Sequence, residues 1–386
     1  MNILNVQKEL EIEGLDGWLF IDFGGRDKIA IDLLKIKKEK ITRRWVYFIP
    51  TTGNPVKLIH TLEPDLLDHI EGEKVLYLGW KAFQEELEKI ITGKKIAMQY
   101  SPHNDVPTVS YVDAGFMDLV RHYGCQVVSS ADLIQILQTT LSDEQIELYR
   151  KARKIIQGIK DAAFKLIFDS VKEGKEITEY EVQQFIASEF IKHNIQNGDH
   201  QPIVAVNEHA TAPHYFPPEK GSSVIKKGDR ILIDLWGKLD VEDGIYYDIT
   251  WCGNVGEPSE EYVKIFDVIV RARDAATNLI RERYAKGEPV YGFEADDACR
   301  QVIKDAGLHE FVKHRTGHSI YKEVHAAGAG IDSLEHKENR KILPGTCFSI
   351  EPGLYTKSIG VRTEISVLIT AEGKVEVMDE QKELLF

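Results

Sequence analysis

Apolar and β-branched residues gather in short runs along the first third of the chain, at GWLFID (17–22), RWVYFIP (44–50), VKLIH (56–60), KVLYLGW (74–80), KIAMQY (95–100) and QVVSS (126–130). Each run has the length and composition of a strand. Between them FQEELEKII (83–91) and VDAGFMDLVRHYG (112–124) repeat their apolar positions at helical spacing. TTGNP (51–55) carries the turn residues of a hairpin. Alternation of this kind predicts a layered α/β domain.

At Ser142 the texture changes. Ser142 and Gln145 stand at the spacing of a capping box, with the hydroxyl and the amide each closing on the other's backbone N–H. Apolar residues then recur at Ile146, Tyr149, Ile155, Ile159, Ala163 and Leu166, so a helix is expected to run to about Lys172, before the stop at Gly174. A second box at Thr178 and Glu181 opens a helix to about His193. The boundary is therefore placed at 138–142, with domains at 1–140 and 141–386. The second domain mixes strands (ILIDLW, YYDITWCG, CFSIEPGLY, VRTEISVLIT) with long helices near 259–284 and 291–306.

Four of those strands carry acids. A hairpin turning within LDVEDG sets Asp234 across from Asp248, and one turning within TKSIG sets Glu351 across from Glu364. A single acid in a strand is ordinarily an edge or outward-facing residue. Like charges facing each other on a ladder are destabilising, and a carboxylate among apolar neighbours is costly unless it is paired or bound to metal. Two such pairs point to cations, and four oxygen ligands suit hard or borderline divalent ions. His318 and His325 flank a glycine-containing segment, and His214 lies in the proline-rich TAPHYFPP. A neutral imidazole can complete a carboxylate site, and further histidines can move protons near neutral pH.

Composition narrows the partners. Among 386 residues, 43% are hydrophobic and 28% charged, as in ordinary globular chains. Lys plus Arg number 48 against 62 Asp plus Glu, a net charge of −14, which speaks against nucleic acid or an anionic membrane as partner. Cys125, Cys252, Cys299 and Cys347 are widely spaced with no CxxC pair, as expected of reduced thiols in a cytoplasmic protein. The N-terminal stretch has no secretory-signal pattern, and no apolar run reaches the ~18 residues of a membrane span.

With these residues in view, LIDLW…YYDIT, RTGHSIYKEVH, FSIEPGLY and GVRTEISV resemble the five-ligand signature of the pita-bread metallopeptidases. That superfamily includes methionine aminopeptidase, Xaa-Pro aminopeptidase, prolidase and creatinase. The resemblance runs from about 140 to 386, and the first third looks like the creatinase-type N-terminal domain of the Xaa-Pro aminopeptidase and prolidase branch. The implied architecture is an α/β creatinase-like N-terminal domain followed by an α+β pita-bread catalytic domain. The implied cofactor is two divalent ions, manganese first, with cobalt, zinc or iron as alternatives. Asp234 would bind one ion, Asp248 and Glu364 would bridge both, and His318 and Glu351 would hold the other. Glu351 would also be the general base, His325 the stabiliser of the oxyanion, His214 a substrate-orienting or proton-shuttling group, and Arg362 a partner behind the carboxylates. The implied reaction is removal of the first residue from Xaa-Pro peptides, with a small peptide as partner and a homodimer as the assembly. A strict Xaa-Pro dipeptidase is the near alternative; a catalytically silent peptide-binding module is the distant one, disfavoured because all five ligand positions are filled.

Departures from the pattern bear on the substrate. The gap between the two aspartates is longer than usual by about three residues, which implies a longer loop or a bulge. The usual GHGIG is GHSIY at 317–321, Trp236 stands where a small residue is common, Ala326 follows His325 where an acid is frequent, and NIRYLTGF is missing from the N-terminal domain. Tyr321, Trp236 and Tyr215 are expected to line the substrate pocket.

Overall fold

The computed structural model describes residues 2–37, 41–377 and 379–386. The chain divides into two compact units, Met1–Gln138 and Thr139–Phe386.

The first unit is built on β1 (Gly17–Phe23), β2 (Arg44–Pro50), β3 (Val56–His60), β4 (Glu73–Tyr77), β5 (Lys95–Met98) and β6 (Gln126–Ser129). They form one sheet in the order β4-β3-β2-β1-β5-β6. β1–β2 and β2–β3 are antiparallel, the second through the TTGNP turn, and the other pairings are parallel. Helices α1 (Ile3–Ile12), α2 (Lys28–Leu33), α3 (Trp80–Ile91), α4 (Ala114–His122) and α5 (Ala131–Gln138) complete the layers. The run at 74–80 splits between two elements. β4 ends at Tyr77, and Gly79 caps a helix that already includes Trp80.

In the second unit both capping boxes form. Gln145 N donates to Ser142 Oγ at 3.3 Å and Ser142 N to Gln145 Oε1 at 2.9 Å, starting α6 (Asp143–Lys172). Thr178 and Glu181 do the same for α7 (Glu179–Lys192). Helices α8 (Glu260–Lys286) and α9 (Gly292–Asp305) follow the central hairpin. The strands are β7 (Ile195–Gln196), β8 (Ile203–Val206), β9 (Arg230–Leu239), β10 (Tyr247–Asn254), β11 (Ser319–Ile320), β12 (Cys347–Ile350), β13 (Gly353–Tyr355), β14 (Gly360–Arg362), β15 (Ile365–Ile369) and β16 (Val375–Val377). β9 lies between β10 on one side and β7 and β8 on the other; β11-β12-β15-β16 form a second sheet and β13-β14 a ribbon.

Two cores sandwich these strands. Tyr149, Ile156 and Ala163 of α6 and Ile186 of α7 pack with Ile233, Leu235, Tyr247 and Ile249. Tyr262 and Ile269 of α8 and Cys299 of α9 pack with Leu232, Cys252, Val361 and Val367. Because side chains alternate across a strand, Ile233 and Leu235 face the first core while Asp234 is turned to the other face. All four cysteines are buried and free. Among the described residues no helix is long and apolar enough to cross a membrane.

Candidate metal centre

The two acidic hairpins meet in the second unit, with a correction to one register. Asp234 pairs with Thr250 and Asp248 with Trp236, so the aspartates are not directly across from each other but diagonal by two residues on one face. The extra length of the loop explains the offset. The β9–β10 ladder stops at Gly237↔Tyr247, and the end of β9 continues against β7 through Gln196↔Lys238 and Ile195↔Leu239. The register is unbroken from there to Arg230↔Asn254, so the insertion is a longer loop and not a bulge.

The second hairpin is split at its acids. β13–β14 carries the pair Gly353↔Arg362, and β12–β15 resumes at Ile350↔Ile365. Glu351 and Glu364 sit at the interruption, opposite each other in the shared register. Each is held by its backbone to a neighbouring segment: Glu351 N donates to Thr316 O at 2.6 Å, and Glu364 N to Thr250 O of β10 at 3.0 Å. His318, just before β11, is fixed by Ser349, whose N–H reaches His318 O at 2.8 Å and whose Oγ accepts from His318 N at 3.1 Å.

Five side chains thus converge. His318 Nε2 lies 3.6 Å from Asp248 Oδ2 and 3.5 Å from Glu351 Oε1. Asp248, His318 and Glu364 each offer a ligand atom within 4.8 Å of one another. Asp234, Asp248, His318 and Glu364 are buried, and Glu351 is half-buried. Arg362 reaches Asp234 Oδ2 at 2.5 Å, Thr250 Oγ1 at 3.0 Å and the Tyr355 hydroxyl at 2.9 Å. Thr250 Oγ1 donates in turn to Glu364 Oε2 at 2.9 Å. One guanidinium thereby orients Asp234 directly and Glu364 through Thr250, and Glu351 Oε2 stands 4.0 Å from its Nε.

That single cation does not satisfy four carboxylates. Asp234 Oδ1, Asp248 Oδ1 and Glu364 Oε1 are buried with no hydrogen-bond partner. Burial pushes the Asp234, Asp248 and Glu364 carboxyls up, and mutual repulsion reinforces the rise at Asp248 and Glu364. Glu351 is pushed up to about 7, chiefly by burial. Burial, with the nearby His325 and Arg315, lowers His318 well below its usual value, so it is a neutral imidazole. Three orphaned carboxylate oxygens beside a neutral imidazole are a donor set that divalent cations fit; an uncompensated buried charge is otherwise costly.

His325 packs its ring edge-on against His318, with centroids 4.3 Å apart. His214 is exposed in the loop after Thr211, and its field reaches Asp234 and His325. The polar groups of the three expected pocket residues are engaged elsewhere. The Tyr215 hydroxyl donates to the buried Glu179 at 2.9 Å, and its ring stacks on His209 at 4.3 Å. Trp236 shares the face of Asp248, and its indole N–H donates to Asn197 O at 3.0 Å. The Tyr321 hydroxyl accepts from Gln145 at 3.0 Å.

Three neighbours escaped the sequence reading: Thr250, Tyr355 and His314. Thr250 follows Asp248 by two and so shares its face, a signal that was available. His314 Nδ1 lies 2.7 Å from Arg315 O and must donate, which leaves Nε2 to accept from the Tyr355 hydroxyl at 2.7 Å. Burial and Arg362 push the His314 pKa down to about 3, in keeping with this neutral tautomer. Nothing local in KHRTGH tells of the tyrosine, which comes from a distant strand.

Residues 147–371 match the model of metallopeptidase family M24, and the chain belongs to that family. An uncharacterized peptidase of Staphylococcus haemolyticus is 28% identical over 263 residues, 66% of this chain and 67% of that one. Among solved structures, the dipeptidase PepE from Mycobacterium ulcerans superposes with a TM-score of 0.69 at 22% identity, covering 99% of this chain and 96% of its own. An X-prolyl aminopeptidase from Caenorhabditis elegans, described as a cytosolic enzyme with a di-nuclear active site, gives 0.66 at 18% identity, over 95% of this chain and 58% of that one. The pita-bread fold is therefore shared, and the protein is a metallopeptidase.

Proposed function

We propose that the protein is a two-metal exopeptidase that hydrolyses the bond after the first residue of short Xaa-Pro peptides. The observation that carries this reading is the group of four acids around one neutral histidine, with three carboxylate oxygens buried and unpartnered. Structures sharing the fold include a dipeptidase and an X-prolyl aminopeptidase, and a strict Xaa-Pro dipeptidase is the alternative within the same chemistry. Asp234, Asp248, His318, Glu351 and Glu364 would hold two divalent ions, manganese first among the metals suited to oxygen and imidazole ligands. Such ions supply a water of lowered pKa and polarisation of a carbonyl.

The chain's own groups do the rest. Glu351 accepts a proton from the attacking water and returns it to the leaving nitrogen. His325, at the edge of His318, donates to the carbonyl oxygen as its charge grows. His214 orients the substrate or relays a proton from the exposed side. Arg362 and Thr250 fix Asp234 and Glu364 so that none of these distances drifts.

The test is hydrolysis of an Xaa-Pro dipeptide and the matching Xaa-Pro-Yaa tripeptide by manganese-loaded and chelator-stripped protein, alongside Asp248→Asn. Metal-dependent cleavage that Asp248→Asn abolishes supports the reading, and cleavage of the dipeptide alone selects the dipeptidase. Bound metal with neither peptide cleaved overturns it, and a protein that takes up no metal returns the silent binding module.

A further inference from the structure

His325 is exposed and stands in a segment, 321–330, that belongs to no helix or strand. A side chain on such a segment is placed only as well as the segment is held. Its ring nevertheless meets His318 edge-on. After the histidine, Ala326 N donates to Ser319 O at 2.8 Å. Before it, the holds come from the lengthened connection between β9 and β10. Tyr246 N donates to Tyr321 O at 3.0 Å, and Lys238 Nζ to Lys322 O at 2.7 Å. Lys322 Nζ in turn meets Asp243 Oδ1 at 2.6 Å, an outlying pair that contributes little.

Lys238 is the member best built to grip. Its backbone is locked opposite Gln196 in the β7–β9 ladder, beyond the point where β9 leaves β10. Its side chain is half-buried, with Nζ 5.0 Å from the centre of the Tyr246 ring. Among the described residues the ammonium forms no ion pair, and it is spent on a main-chain carbonyl. Lysine suits this use, with three donors on a stem long enough to reach across a loop. The carbonyl lies three residues before His325, and Lys238 lies four residues after Asp234 on one strand. The grip therefore ties the histidine to the hairpin that bears Asp234 and Asp248.

We propose that Lys238 is a positioning residue, which holds His325 in register with the metal centre by gripping the Lys322 carbonyl. This rests on the exopeptidase reading above, in which His325 donates to the substrate carbonyl oxygen, and deepens it. Tyr321 and the longer connection then serve the same brace, since each supplies a bond to the segment.

The experiment uses full-length, manganese-loaded protein with Ala-Pro and Ala-Pro-Ala, as wild type, Lys238→Met, Lys238→Arg, His325→Ala and the double variant Lys238→Met with His325→Ala. Methionine keeps the apolar stem and removes the donors. A misplaced donor costs less than a missing one, so Lys238→Met should lower kcat about tenfold, against about 10²–10³-fold for His325→Ala. KM, and manganese affinity by calorimetric titration, should stay within about twofold of wild type. Lys238→Arg should restore most of kcat, because a guanidinium can still donate to the carbonyl. On the His325→Ala background, Lys238→Met should cost nothing further. An unchanged kcat in Lys238→Met, a full tenfold loss on top of His325→Ala, or a loss that appears in manganese affinity would overturn the inference and leave the exopeptidase reading intact. His325→Ala as active as wild type would do the same. Wild type that binds manganese and cleaves neither peptide would overturn both.

Discussion

Glu351 offers a direct measure of what the site costs when no cation fills it. Burial, opposed by Arg362 and reinforced by Asp234, carries its pKa from the ordinary 4.5 to about 7. A carboxyl whose folded pKa is raised favours the folded state only while it is protonated. Its contribution is fully present below pH 4.5 and is lost as pH rises through about 7. The difference corresponds to about 3 kcal/mol. Glu351→Gln keeps the shape and removes the charge, so in chelator-stripped protein the variant should match wild type at pH 4.5 and exceed its stability by about 3 kcal/mol at pH 8. In urea that is roughly 1 M at the midpoint for an m-value near 3 kcal/mol per M. His314 and His325, pushed down to about 3 and about 4, act in the opposite sense. Their stabilisation is complete above the ordinary 6.5 and drains away as pH falls. They are present in both proteins, so the wild-type-minus-variant difference removes them. Manganese should narrow the gap: at a hundredfold over its Kd it stabilises wild type by about 2.7 kcal/mol, and the variant gains less. A pH-independent difference, or a variant less stable than metal-free wild type at pH 8, would refute the claim that Glu351 is a buried acid awaiting a cation.

Other outcomes follow from the same packing. Arg362→Met leaves Asp234 without its donor and should cost about 3–5 kcal/mol in urea unfolding, with kcat/KM for any cleaved peptide falling at least tenfold. Arg362→Lys should recover little, because one ammonium cannot span Asp234, Thr250 and Tyr355. Gly317→Ala would set a Cβ 2.0 Å from Ser349 O, displacing the segment that carries His318; calorimetric titration should show manganese affinity down by about 10–100-fold. Ser142→Ala removes one half of a capping box that is fully formed and should cost about 1 kcal/mol with metal affinity unchanged.

What the sequence made legible is what local physics decides. Capping boxes at Ser142 and Thr178 are satisfied within four residues, so both helices begin where the sequence puts them. The second acidic hairpin has a short turn that leaves one register open, and Glu351 faces Glu364. The first hairpin was legible only in part. Its register depends on β9 exchanging β10 for β7 beyond Gly237, a non-local choice that no pattern in LDVEDG encodes. The partner of the Tyr215 hydroxyl, the buried Glu179 on α7, comes from a helix about 36 residues away and was not legible either. The two-residue offset matters for the chemistry. On a twisted antiparallel pair, directly opposed carboxylates would crowd one point, while a diagonal pair lies roughly 7–8 Å apart at the backbone. That spacing leaves the face between Asp234 and Asp248 open on the side where His318, Glu351 and Glu364 arrive from the other sheet. Alternation along β9 and β10 turns the remaining residues, Ile233, Leu235, Tyr247 and Ile249, into one hydrophobic core. The strands that bear the ligands are therefore pinned from behind, and the burial that makes the carboxylates' charge costly also holds them in place.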